Sequence, residues 1–438
     1  MNSNVMRVRP GWLTVLGWLL LGFSTASYAE TAAGGLTLAR AVALALVHQP
    51  GVAAQQDAAD AASRLVDARK AAFSPHLGLQ ASETFNSMEN GTPDFTSANG
   101  RQEITGQVVL EQKLYDPPGA AAIGAARAEA EFAHYRALQN RFAVAGMVAR
   151  TYYKLQAQQA AIAIWRLPAA ESQADLDAAQ RGLRPDVRTR LDLLRLQTAL
   201  RQAQQGLSQA KLARATSVRL LMLMTGLSTL PALATPPPIS ADFTLPSLPE
   251  IQAAALQTQP ALVIARSRQR RAAALLTAAR AARLPRAQLQ AAYGWDTLGS
   301  FSARPGWSAG VSVSMPLFDG GELHDRAAAA RLRLSAARQH ALQTRLDLRA
   351  SLTTVWGDAR AALNAYRAAR DLARRKQRIW QISKEGYRAR QLSSLDLLLA
   401  QRDWIRGRQA ELADATRLRL ALMQLRLLAG QLPTDNNQ

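Results

Sequence analysis

The sequence predicts a mainly helical fold with a smaller β part, built twice within one chain. Three observations predict it. The chain matches itself at a shift of about 205 residues, each copy holds two segments whose apolar residues recur at every second position, and long proline-free stretches follow those segments. Composition agrees: 48% of the 438 residues are hydrophobic and only 6% aromatic, and Ala, Leu, Gln and Arg fill long runs, as in extended, partly solvated helices. The chain has no cysteine, which excludes disulfide frameworks, thiolate nucleophiles, Cys zinc sites and lipidation at an N-terminal Cys.

Residues 1–29 read as a secretory signal. Arg7 and Arg9 precede the apolar run Trp12 to Phe23, and Ser27-Tyr28-Ala29 gives a small-x-small cleavage site after Ala29. That apolar run is about 12 residues, short of the ~20 that cross a bilayer as a helix. No later window has 18 uninterrupted apolar residues, so a membrane-spanning role requires a closed barrel. The formal charge of +21 falls to +19 without Arg7 and Arg9. Export argues against nucleic acid as a partner, and the arginines read as a solvated helix surface spread along the faces.

The duplication is ordered. Ala45-Leu46-x-x-Gln49-Pro50 recurs as Ala255-Leu256-x-x-Gln259-Pro260, Tyr115-Asp116 as Phe318-Asp319, and Asp192-Leu193-Leu194 as Asp396-Leu397-Leu398. The first copy spans 30–229 and the second 250–432, with a short tail at 433–438. A stiff linker at 230–249 contains six of the 19 prolines. The change in shift between Pro75 and Tyr115 gives the first copy a longer loop around Glu89 to Gly100.

Each copy opens with an amphipathic helix, marked in the first by Leu38, Ala41, Val42, Ala45 and Leu46 and in the second by the capping box Ser247-x-x-Glu250. These helices are expected to run to Pro75 and Pro285. Period-two strands follow at about 76–86 and 103–115, then at 286–295 and 307–318. At roughly 10 residues each they match the length needed to cross a bilayer at a tilt, and they also suit hairpins packed on the helices of a soluble protein. A helix from Gly320 to about Gln391 would then measure roughly 108 Å. Leu348, Leu352, Val355, Ala359, Ala362, Tyr366, Ala369 and Ala373 form its coiled-coil seam. Pro168 stands where the second copy has Asp371, which predicts a kink or restart in the first copy alone.

Catalytic signatures are missing. The five histidines make no HExxH and no close metal-ligand spacing, and there is no Walker A or GxGxxG run, so no enzyme activity, metal or cofactor is expected. Gly306-Trp307-Ser308-Ala309-Gly310 fits G-x-S-x-G but leads into a strand, where a nucleophile elbow needs a helix. Tyr293, Trp295 and Trp307 suit the aromatic girdle of a membrane barrel, and core packing would suit the two tryptophans as well.

With these motifs in place the chain resembles the TolC family of outer-membrane factors. The Leu36-Thr37-Leu38 opening, Pro316-Leu317-Phe318-Asp319-Gly320-Gly321, Gly386-Tyr387-Arg388-Ala389 and Leu395-Asp396-Leu397-Leu398 carry the likeness, and it covers nearly all of the mature chain. The resemblance implies a homotrimer whose four strands per chain make one twelve-stranded barrel in outer-membrane lipid, continuous with a periplasmic α-helical barrel. It implies a passive exit duct of a tripartite efflux or type I secretion system, served by a periplasmic adaptor and an inner-membrane transporter. Four strands are also too few to close a barrel alone. By motif position Asp396 and Asp192 match periplasmic gate aspartates and Tyr387 a latch tyrosine. Arg390 stands where a glycine is common, while Leu392 and Leu399 replace polar gate positions. The hairpin tips near 180–192 and 385–396 would dock the adaptor. The alternative is an exported helical rod that scaffolds or binds polyanions and forms no pore.

Overall fold

The computed structural model describes residues 35–85, 87–89, 92–93, 102–180, 190–240, 243–296, 305–389 and 391–432. Residues 1–34, including Ala29, and the tail 433–438 lie outside the described residues, as does Arg390.

In chain order the elements are α1 (Leu38–His48), α2 (Pro50–Ala71), β1 (His76–Phe85), β2 (Met88–Glu89), β3 (Thr92–Pro93), β4 (Gln102–Tyr115), α3 (Pro117–Gln180), α4 (Arg190–Thr225), α5 (Leu248–Thr258), α6 (Pro260–Ala281), β5 (Arg286–Asp296), β6 (Gly306–Ser314), α7 (Glu322–Arg388) and α8 (Ser394–Leu428). Both halves thus run helix, helix, strand, strand, long helix, helix. α1 and α5 have 11 residues each, α2 and α6 have 22 each, and α3 and α7 have 64 and 67.

The opening helix of each half differs from the sequence expectation, because it is broken at Gln49 and again at Gln259. Proline follows both residues and clashes with an α-conformation before it, so both are extended, with ψ of 115° and 119°. Each proline then starts the next helix, where its missing N–H costs nothing. Thr37 caps α1 by accepting a hydrogen bond from the Arg40 N–H at 3.3 Å. The buried face of α1, Leu38, Ala41, Val42 and Ala45, packs with Val148, Tyr152 and Leu155 of α3 and Leu221 of α4.

The course of the helix at Pro168 and the end of the last strand differ from expectation, and the longer loop gains detail. α3 does not restart at Pro168 but continues through it, with the ring fully buried, so packing holds the turn that has lost one hydrogen bond. β6 ends at Ser314 and not near 318, since Pro316 has no N–H to donate to a ladder. Within the longer loop of the first copy, Met88–Glu89 pairs with Thr92–Pro93 as a short antiparallel ribbon.

α7 is close to the expected rod: its 67 residues measure about 100 Å at 1.5 Å each. Every residue of the expected seam is buried except Ala369, which is half-buried. Leu348 and Leu352 pack against α5, while Val355 and Ala359 pack against Ala421 and Leu425 of α8. No described helix is long and apolar enough to cross a membrane.

Candidate functional site: a two-faced sheet and the helix-hairpin tips

The four long strands form one antiparallel sheet in the order β1-β4-β5-β6, which leaves β1 and β6 as open edges. Register decides what each face carries, because directly opposed residues point the same way. Leu79 opposes Val108, Val108 opposes Tyr293, and Tyr293 opposes Trp307, giving an apolar row across the whole sheet. Trp295 stands one row beyond on the same face, over Gly106, where a Cβ would lie 2.8 Å from the indole. No described residue covers this face: Leu79 is 81% exposed and Trp307 79%. The opposite face is polar. Gln107 donates to Gln80 at 3.1 Å, the Ser82 and Thr105 hydroxyls meet at 2.7 Å, and Gln290 donates to Glu111 at 3.4 Å. The G-x-S-x-G run lies wholly in β6, so no nucleophile elbow exists.

The same device joins strands to long helices in both halves. After β6, Asp319 accepts from the Leu323 N–H at 2.8 Å and from the Gly321 N–H at 3.0 Å, and these donors hold its carboxyl below the usual range. Gly320 and Gly321 have φ of 67° and 97°, a conformation that side chains resist. Asp116 plays this part after β4, accepting from the Gly119 N–H at 3.1 Å.

At the far end, about 100 Å away along α7, the helix-hairpin tips bring several sequence-predicted residues together. Asp192, in the first turn of α4, accepts from the Ser394 hydroxyl at 2.8 Å and lies 3.5 Å from Arg195. Ser394 opens α8, so the repeat-related tips touch. Asp396 is exposed and accepts at one oxygen from the Ser393 hydroxyl at 2.6 Å and the Ser393 N–H at 3.1 Å, while its own N–H donates to the Ser393 hydroxyl at 3.2 Å. This capping box commits the carboxylate to its helix, and those bonds hold its pKa below the ordinary aspartate value. Both aspartates face helix N-termini, which favour negative charge.

Tyr387 is half-buried and packs on a separate layer formed by Trp380, Leu397, Ala400 and Trp404. Sequence reasoning missed this layer. The indoles of Trp380 and Trp404 stack at 4.4 Å with 20° between planes. The Lys384 ammonium sits 4.9 Å from the Trp380 ring and 2.5 Å from Glu171 of α3, so it ties the second half of the chain to the first. Trp380 and Trp404, standing where the first copy has Leu176 and Leu200, were the available signal. Among the described residues no group of three or more His, Asp or Glu is placed to hold a metal.

The sheet is apolar on one side and polar on the other, is open at both edges and is joined to long paired helices. The chain belongs to the outer membrane efflux protein family, whose model matches residues 41–227 and 252–431. It is similar to Protein CyaE of Bordetella pertussis, with 28% identity over 411 residues, covering 91% of this chain and 84% of that protein. Two solved structures share the fold. A membrane protein from Pseudomonas aeruginosa has a TM-score of 0.78 at 19% identity, covering 92% of this chain and 91% of its own. The outer membrane protein VceC of Vibrio cholerae has a TM-score of 0.75 at 18% identity, covering 90% and 97%. The protein is therefore an outer-membrane efflux channel and not an enzyme, and the non-channel rod is set aside.

Proposed function

We propose that three copies of the chain close their sheets into one twelve-stranded barrel and that the assembly serves as the passive exit duct of a tripartite efflux or type I secretion system. The observation that carries this reading is the four-stranded sheet with one apolar face and two open edges. Unpaired strand edges are not tolerated in lipid, and neighbouring copies supply the missing partners. The polar face then lines the pore, and Tyr293, Trp295 and Trp307 face lipid near an interface. Residues 1–29 direct Sec-type export with cleavage after Ala29. Energy comes from an inner-membrane transporter coupled through a periplasmic adaptor at the hairpin tips.

At those tips Asp396, with Asp192 beside it, forms a ring of carboxylates that attracts cations, and Tyr387 and Arg390 belong to the closing latch. The test uses two neighbouring substitutions. Leu79→Lys places a charge on the lipid face and is expected to abolish outer-membrane assembly and conductance in planar bilayers. Gln80→Lys points into the pore and leaves assembly intact. Equal behaviour of the two variants overturns the barrel. If Asp396→Asn with Asp192→Asn leaves conductance and cation block unchanged, the gate reading fails and the barrel stands.

A further inference from the structure

One feature of α7 has no part in conduction through the duct. Arg360, Arg367 and Arg374 recur at seven-residue spacing and so share a face, with Arg370 and Arg378 in the adjoining i+3 and i+4 positions. The row is about 27 Å long. Arg370 is half-buried and the other four are exposed. The only carboxylate of this stretch, Asp371, is taken by Arg375 at 3.1 Å. Among the described residues Arg360, Arg370, Arg374 and Arg378 have no ion-pair partner; Arg360 rests 5.4 Å from the Trp356 ring. Higher on the same helix a second triplet, Arg331, Arg338 and Arg345, repeats the spacing, and all three are exposed.

The linker shows which way the lower row faces. The Arg367 guanidinium donates to the Phe243 carbonyl at 2.8 Å, and the Trp356 indole donates to the Pro246 carbonyl at 3.0 Å. A proline-rich strap cannot lie in a lumen that must stay clear, so this is the outer side of the stalk. Protein interfaces are depleted of charge at their centre and built on apolar anchors, and between Arg360 and Arg378 the apolar residues of the seam are already buried inside the chain. The exposed Leu372 and Ile379 lie at spacings that put them off the arginine face, so the row itself is single-signed, which suits an extended polyanion, and arginine forks suit carboxylates.

We propose that this arginine row binds an extended carboxylate-bearing polymer of the periplasm, the muramyl-peptide network of the cell wall, and so anchors the stalk where it passes through. The inference rests on the duct's outer-membrane placement and not on its gate. The full-length detergent-solubilised protein is expected to co-sediment with purified peptidoglycan sacculi at 0.1 M salt and to be released near 1 M, where the screening length shrinks from ~10 Å to ~3 Å. Sacculi whose carboxylates have been amidated should lose it, an arm that needs no mutant. The combined variant R360Q/R370Q/R374Q/R378Q, which spares the linker contact of Arg367, should bind about tenfold more weakly while conducting like the wild type. Undiminished binding by the variant, or to amidated sacculi, overturns the proposal. So does retention by an acidic coiled-coil peptide with none on sacculi, which would make the partner a protein. Loss of conductance in the unmutated protein would instead count against the duct.

Discussion

The two hairpin tips are copies of one backbone that solve the same packing problem with different side chains. At a shift of 204 residues Leu176 corresponds to Trp380, Leu193 to Leu397, Leu196 to Ala400 and Leu200 to Trp404. In the α3–α4 tip the three leucines at 176, 196 and 200 pack with Ala179. In the α7–α8 tip two stacked indoles take the outer positions, and the change from leucine to Ala400 makes room for them. The comparison shows that duplication preserved the layer while changing its chemistry. Aromatic faces admit a cation, and Lys384 uses one, whereas the leucine tip offers no such seat. The aromatic tip also carries a liability: the Trp404 indole N–H is buried without a hydrogen-bond partner among the described residues.

The largest expected effect follows from that asymmetry. Trp404→Ala removes a stacked aromatic at about 3–5 kcal/mol and should lower the apparent thermal midpoint more than Leu200→Ala, at about 2–5 kcal/mol. Equal shifts would mean that the indole stack contributes no more than ordinary apolar burial. Next comes the tie between the halves. Glu171→Gln or Lys384→Met should each cost about 1 kcal/mol, with a coupling term in the double-mutant cycle, and should raise open probability in single-channel records. A rise in open probability from the single substitutions without any coupling would assign their effects to separate contacts.

A smaller effect belongs to the caps. Ser393→Ala removes the donor and acceptor that serve Asp396 and should cost about 1 kcal/mol, read by thermal unfolding; Ser394→Ala should cost less, since it removes one bond to Asp192. The smallest response is to pH. Because the folded-state pKa of Asp396 is held below the ordinary aspartate value, its stabilising contribution is complete above that value and is lost as pH falls through the depressed one. Cation block is therefore expected to be the same at pH 7 and pH 5 and to weaken only in stronger acid. Weakening between pH 7 and pH 5 would show that Asp396 is not the group responsible.

Much of this was legible in the residues. Period-two alternation located all four long strands to within a few positions, because a face against lipid or pore demands it. The seam of α7 was legible for the same reason, through its steps of three and four. The Gln49-Pro50 and Gln259-Pro260 breaks are visible in the sequence as motifs, since steric exclusion before proline acts whatever the surroundings. Pro168 was the opposite case: a local rule predicted a kink or restart, and the helix does not restart there, with the ring buried.

The sequence alone determined the duplicated order of elements, the two-sidedness of the strands and the lengths of the rods, since each follows from periodicity along the chain. Only tertiary structure decided which strands neighbour one another, that Asp192 meets Ser394 across 202 residues, and that Lys384 bridges to Glu171 across 213. Contacts of that kind depend on how helices from different halves are laid side by side. Periodicity says which face of a helix is buried, and packing alone says against whom.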